Sequence, residues 1–179
     1  MRFYFTSDNH FGHSGARGFY RRPFKSVAEM DQQMIERWNA LVRCDDVVWH
    51  LGDFAVGQSA ERVAQLLTAL NGQKHLVMGN NDNEAVIDCP LWSSVQSYIE
   101  MTVGGDAFVL CHYPFRTWRD MSKGSINLHG HSHGKLKPMP RQFDVGVDAW
   151  DFRPVLLADL IGQTRAREPG RVGRAESRG

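Results

Sequence analysis

A chain of 179 residues is long enough to bury one core, and its 42% hydrophobic and 23% charged residues exclude a disordered or fibrous protein. Its formal net charge of +1 excludes binding to nucleic acid or membranes driven by overall charge. Three widely spaced cysteines, Cys44, Cys89 and Cys111, with no C-x-x-C, argue against a disulfide framework and for a reducing, cytoplasmic setting.

The first residues enter a strand-like run directly, without a signal-peptide core, and no apolar stretch is long enough to span a bilayer. Phe3 to Thr6 predicts a buried strand, followed by a Gly-, Arg- and His-rich loop from Asp8 to Pro23. Ser26 and Glu29 form a capping box that starts a helix with Met30, Met34, Ile35, Trp38 and Leu41 at helical spacing. Val47 to Trp49 is the next strand. A second helix runs from about Ser59, with Val63, Leu66, Leu67 and Leu70 on one face and Asn71-Gly72 as its stop. His75 to Met78 is a third strand. Val95 to Val103 and Ala107 to Cys111 flank Gly104-Gly105-Asp106, a hairpin signal. Ile126 to His129 and Phe143 to Val147 are further strands.

This order predicts an α/β half followed by an antiparallel half. The domain is expected over residues 1–161. Residues 162–179 read as a disordered Arg-rich tail, with five arginines from Arg165 to Arg178 against Glu168 and Glu176.

Five short fragments carry the chemistry: Asp8-Asn9-His10, Gly52-Asp53, Gly79-Asn80-Asn81-Asp82, Cys111-His112 and Gly130-His131-Ser132-His133. Each follows an apolar or β-branched run, so each is placed at a strand end, where open α/β sheets carry their sites. Singly they are weak, since eight histidines in 179 residues give about 0.4 H-x-H pairs by chance, and Gly-Asp is ordinary turn chemistry. Together they supply Asp8, Asp53, Asn80, His10, His112, His131 and His133. Two carboxylates, one amide oxygen and four imidazoles are the donors of a two-metal hydrolytic site, which points to metal-assisted hydrolysis of a phosphate ester.

In the order D-x-H, G-D, G-N, H and G-H-x-H, residues 1–150 resemble the calcineurin-like metallophosphoesterase family. The likeness is to its small bacterial and phage members, whose first motif continues as His-Phe-Gly-His, here His10 to His13. The resemblance implies an α/β fold in which a two-sheet β-sandwich is flanked by helices, with a dinuclear metal centre at one edge. It implies that Asp8, His10, Asp53 and His133 hold one ion. Asp53 would bridge to a second ion held by Asn80, His112 and His131. The implied reaction is hydrolysis of phosphate mono- or diesters by attack of a metal-bridging hydroxide. Imidazole with carboxylate favours two divalent transition ions, Mn, Fe, Zn, Co or Ni, with Mn preferred, over Mg or Ca.

One position departs from the family pattern. Where members commonly have Gly-Asn-His, this chain has Asn81, whose amide donates hydrogen bonds but is not a practical proton source. His13, on the same loop as His10, is the substitute general acid to weigh against a loop-packing role. Arg22, Arg116 and Arg119, with Arg21, are candidates to clamp phosphate, against the default of solvated arginine. Tyr113, Phe115 and Trp118 read first as loop packing and second as a stacking surface. His50 and His75 read as packed core histidines, and His129 stays outside the ligand set.

The expected substrate is a small-molecule phosphate ester, a nucleotide among the candidates. Two other readings stay open. Asn81 keeps alive a non-catalytic binding or scaffold protein of the same fold. The basic tail is the only support for a nucleic-acid-processing nuclease or phosphatase, which the near-neutral charge disfavours.

Overall fold

The computed structural model describes residues 1–167; residues 168–179, with most of the expected tail, lie outside the described residues. Strands β1 (Phe3–Thr6), β2 (Val47–His50), β3 (Gln73–Val77) and β4 (Ser94–Gln96) run parallel, and β9 (Val155–Leu156) pairs antiparallel with β1. The sheet order is β4-β3-β2-β1-β9. A second sheet, β5-β6-β7-β8, is built from β5 (Ile99–Val103), β6 (Asp106–Leu110), β7 (Ile126–His129) and β8 (Gln142–Asp144).

The two faces of the first sheet bury different partners. Tyr4, Val48 and Leu76 pack with Met30, Met34 and Trp38 of helix α2 (Val27–Leu41) and with Leu66 and Leu67 of α3 (Ala60–Ala69). Phe5, Val47, Trp49 and Val77 meet Phe108, Leu110, Ile126, Leu128 and Phe143 of the second sheet. Because both faces are covered, β1 and β2 read as continuous apolar runs rather than as alternations. This is the expected α/β fold of two packed sheets with flanking helices.

Local signals set the helices, which also include the short α1 (Ala16–Phe19) and α4 (Glu84–Ile87). Ser26 Oγ accepts from Glu29 N–H at 3.0 Å, a cap worth about 1 kcal/mol. Glu29 reaches back one residue further than a standard capping box, taking the Lys25 N–H at 2.7 Å. Ser59 caps α3 through the Arg62 N–H at 3.3 Å.

Four expectations differ from the structure. The second half is not antiparallel: β5 and β6 form the expected hairpin, but β6, β7 and β8 are parallel. The run from Val95 to Val103 is two strands, because the chain crosses from one sheet to the other at Ser97-Tyr98, and both pieces are equally β-prone. Strand β8 ends at Asp144. Beyond it the Val145 N–H still bonds to His129 O (2.8 Å), but that of Val147 bonds to Ser7 O (3.0 Å), turning the chain onto the end of β1. Finally, residues 162–167 continue α5 (Leu157–Arg167), which buries Leu160 against the second core. Among the described residues no helix is long and apolar enough to cross a membrane.

Candidate metal centre

The parallel strands bring their carboxyl ends to one edge, so the loops after β1, β2, β3, β6 and β7 meet there. Asp8, His10, Asp53, His131 and His133 all have positive φ, between 49° and 64°. Each such residue costs about 1 kcal/mol, and clusters of this kind mark functional sites. The left-handed turns aim successive side chains inward where an extended chain would alternate them. Two glycines permit the approach. Gly52 has φ of 90° and lies against the Gly79 backbone, and a Cβ on Gly130 would collide with Ser7 Oγ and Asp8 Oδ2.

Asp8 Oδ1 lies 3.9 Å from His10 Nε2 and 3.8 Å from His133 Nε2. Asp53 Oδ2 is 3.5 Å from His10 Nε2 and 3.6 Å from His112 Nε2, between the two halves of the site. Asp8, His10 and His133 form one cation-sized group and Asp8, Asp53 and His112 another, with ligand atoms within 4.8 Å of each other in each. Asn80 Oδ1 joins the second half, 3.1 Å from His112 Nε2. His131 is exposed, its ring centroid 5.1 Å from that of His112, while its N–H donates to Asp8 Oδ2 at 2.9 Å.

The donor atoms fit a cation. Among the described residues Asp8 Oδ1 and His10 Nε2 are buried with no hydrogen-bond partner, which buried polar atoms rarely are without a ligand to satisfy them. Burial, helped by Arg22, pushes the His10 pKa down to about 2, so its ring is neutral. Burial also lowers the His112 pKa. His112 Nδ1 donates to Leu51 O (2.7 Å), leaving its Nε2 lone pair facing the Asn80 carbonyl oxygen. A lone pair and an amide oxygen turned toward the same point form a donor arrangement that suits a cation. Burial, and after it the nearby Asp53, raises Asp8 well above the carboxylate range, a cost that bound positive charge would remove.

The other predicted residues fall at different distances from this centre. His13 is half-buried with Nδ1 3.4 Å from His10 Nδ1, and its pKa is lowered by burial. Asn81 donates to Asp53 from both backbone and side chain. Arg22 is not on the rim: it is 4% exposed, and its five N–H groups are taken by Asp148, the Asp8 and Asn9 carbonyls and Met30 Sδ. With every donor engaged inside the protein it has none for a phosphate. Arg119 is exposed and paired with Glu100 and Asp120, and Arg116 is exposed. Trp118 is buried with Nε1 on Ser125 O, whereas Tyr113 is 46% exposed beside His131.

The packed histidines have their own partners. His50 Nδ1 accepts from the Gly52 N–H at 3.2 Å, so its Nε2 donates to Asn9 Oδ1 at 2.9 Å. His75 bonds Ser94 and stacks on Trp49, and His129 Nδ1 bonds the Gly130 carbonyl.

Several supports were given no role in the sequence reading. Asp82 accepts the N–H groups of Asp53 (2.9 Å), Phe54 (2.8 Å) and Gly79 (2.8 Å), stitching two ligand loops together; burial pushes its pKa up to about 6. Its signal was within reach, two residues after Asn80. Asp144 gathers the Gly130–Gly134 turn through Ser132 Oγ and the Gly134 N–H. Asp148 takes the His133 Nδ1–H at 2.7 Å, and Tyr20 stacks on the His133 ring at 3.5 Å. Nothing local in the sequence marks Asp144, Asp148 or Tyr20.

Comparison with known proteins gives the family and the fold. An uncharacterized protein of Methanocaldococcus jannaschii is 30% identical over 181 residues, covering 97% of this chain and 95% of its own. The gene 66 protein of Mycobacterium phage D29 is 32% identical, covering 92% and 94%. The solved structure of a protein of unknown function from Aquifex aeolicus shares the fold, with a TM-score of 0.74 at 22% identity over 90% of this chain and 98% of that one. Residues 1–175 match the calcineurin-like phosphoesterase superfamily domain, and the chain belongs to that superfamily.

Proposed function

We propose that this chain is a dinuclear metal-dependent phosphoesterase acting on small phosphate mono- or diesters. Family membership supports the phosphoesterase reading. The observation that carries the metal dependence is the pair of buried donor atoms with no partner among the described residues, Asp8 Oδ1 and His10 Nε2, gathered with His112 and His133 around Asp8 and Asp53. Imidazole and carboxylate together suit Mn, Fe, Zn, Co or Ni. Asp8, His10, Asp53 and His133 would hold one ion, and Asp53, Asn80, His112 and His131 the other.

When bound, such ions supply Lewis-acid activation of water and neutralisation of phosphoryl charge. The rest is done by the chain. Asp53 would supply negative charge between the two ions. The neutral His10 and His112 rings present nitrogen lone pairs and hold their other ring nitrogens on His13 and Leu51. His13 is the candidate proton donor to the leaving oxygen, because the Asn81 amide has no labile proton to give.

A panel of phosphomonoesters, phosphodiesters and cyclic nucleotides, assayed with each transition metal after chelator treatment, tests this reading. Metal-restored turnover of at least one class is the expected result. Absence of turnover with every metal would refute it.

A further inference from the structure

Arg22 and Asp148 are 126 residues apart and meet inside the wall of the metal centre. Nε and Nη2 of Arg22 donate to Asp148 Oδ1 and Oδ2 at 2.9 and 2.8 Å, a two-pronged pair. The same guanidinium donates to Asp8 O at 2.6 Å and Asn9 O at 2.8 Å. Asp148 Oδ2 then accepts the Nδ1–H of His133 at 2.7 Å. That bond sets the tautomer of His133 and leaves its Nε2 lone pair on the side of Asp8 Oδ1. Tyr20 closes the group, stacked on His133 with its ring 5.3 Å from Arg22 Cζ.

One buried cation thus holds the backbone of the loop after β1 and, through a carboxylate, the ring of a residue after β7, which lies in the other sheet. A plain buried ion pair would stop at the carboxylate. Here the pair ends on the imidazole of a candidate ligand. The other half of the centre is supported separately, His112 by the Leu51 carbonyl and the Asp53 loop by Asp82.

We infer that Arg22 and Asp148 are positioning residues for the metal centre, Arg22 holding the loop of Asp8 and Asp148 fixing the His133 ring on one ion, while the His112 ring has a support of its own. This rests on the metal-centre reading above. Hydrogen-bond partners of metal-ligating histidines typically change metal affinity by about 10–100-fold when lost.

The test is calorimetric titration of the metal-stripped full chain with Mn(II) or Co(II), comparing wild type, Asp148→Asn, His133→Ala and the double variant. Asp148→Asn keeps the side-chain shape, and circular dichroism without metal checks that it folds. The expected result is a loss of ~10-fold or more in affinity for one of two ions, the other staying within about twofold. In the His133→Ala background Asp148→Asn should have no further effect, because it acts through that ring. Should Asp148→Asn not fold, Asp148→Glu carries the same test, since the longer side chain keeps the charge beside Arg22 but moves its oxygens off the His133 Nδ1–H. Equal weakening of both ions, no weakening, or an effect fully additive with His133→Ala would overturn the inference while leaving the metal centre standing. Wild-type protein that takes up no ion would overturn both.

Discussion

Asn81 holds Asp53 with both of its donors: the backbone N–H reaches Oδ1 at 2.8 Å and the side-chain amide reaches Oδ2 at 2.6 Å. The residue that takes the place of the usual histidine is therefore turned onto the carboxylate at the middle of the site. Gly79 makes this possible, lying so close to Asp53 Oδ1 that a Cβ there would collide with it.

Leaving-group chemistry follows from that arrangement. With an amide at position 81, rates should fall steeply as the leaving group becomes less acidic, aryl esters far outpacing alkyl and nucleoside esters. Asn81→His should raise turnover of the poor leaving groups selectively. If His13 is the donor, His13→Ala should harm poor leaving groups much more than aryl esters. If it only supports the loop of His10, it should impair both alike. A rate series against leaving-group pKa reads all three, and a flat series in every variant would contradict this account.

Metal content is the second expectation. Mn-supplemented protein should carry about two ions per chain by elemental analysis, because the donors fall into two groups that share Asp8, with Asp53 Oδ2 lying near both His10 and His112. Asp53→Asn should weaken both ions together. One ion or none in the wild type would refute the dinuclear assignment.

The pH dependence of the metal-free fold should be set in part by His50. Its ring is fully buried, accepts from Gly52 and donates to Asn9, an arrangement only the neutral form can make, and burial lowers its pKa to about 3. Between about pH 6.5 and pH 3 the unfolded chain binds a proton that the folded chain does not. Stability is therefore full above this window and is lost as pH falls through it. His50→Gln should flatten the curve by up to one proton in chelator-treated protein, measured by urea unfolding at each pH. An unchanged slope would show that His50 is not responsible.

The carboxyl-terminal helix should be part of the domain. Leu160 is completely buried with Phe5 and Val155, and Thr164 Oγ1 bonds its carbonyl at 3.0 Å. Leu160→Ala should cost about 2–5 kcal/mol by urea unfolding. A loss under about 1 kcal/mol would mean that the helix docks too loosely to fill the core.

The sequence by itself determined where the candidate ligands stand along the chain. Asp8, Asp53, Asn80, His112 and the His131/His133 pair each follow a short apolar run that ends in a turn, and strand ends are legible because they depend on neighbouring residues. Ser26, Ser59 and Gly104-Gly105 were readable for the same reason, since caps and tight turns are local chemistry. Only the tertiary structure decided what supports those residues. Arg22 read as a phosphate clamp or a solvated surface arginine, whereas in the fold Asp148, 126 residues away, engages it. The division of Val95 to Val103 between two sheets, and the parallel course of β6, β7 and β8, were also hidden, because β-propensity is the same for either partner. Local preference sets what a segment can form. Which loops face one another, and therefore which buried charge is paired and which donor is left for a cation, depends on long-range packing that no short stretch of sequence contains.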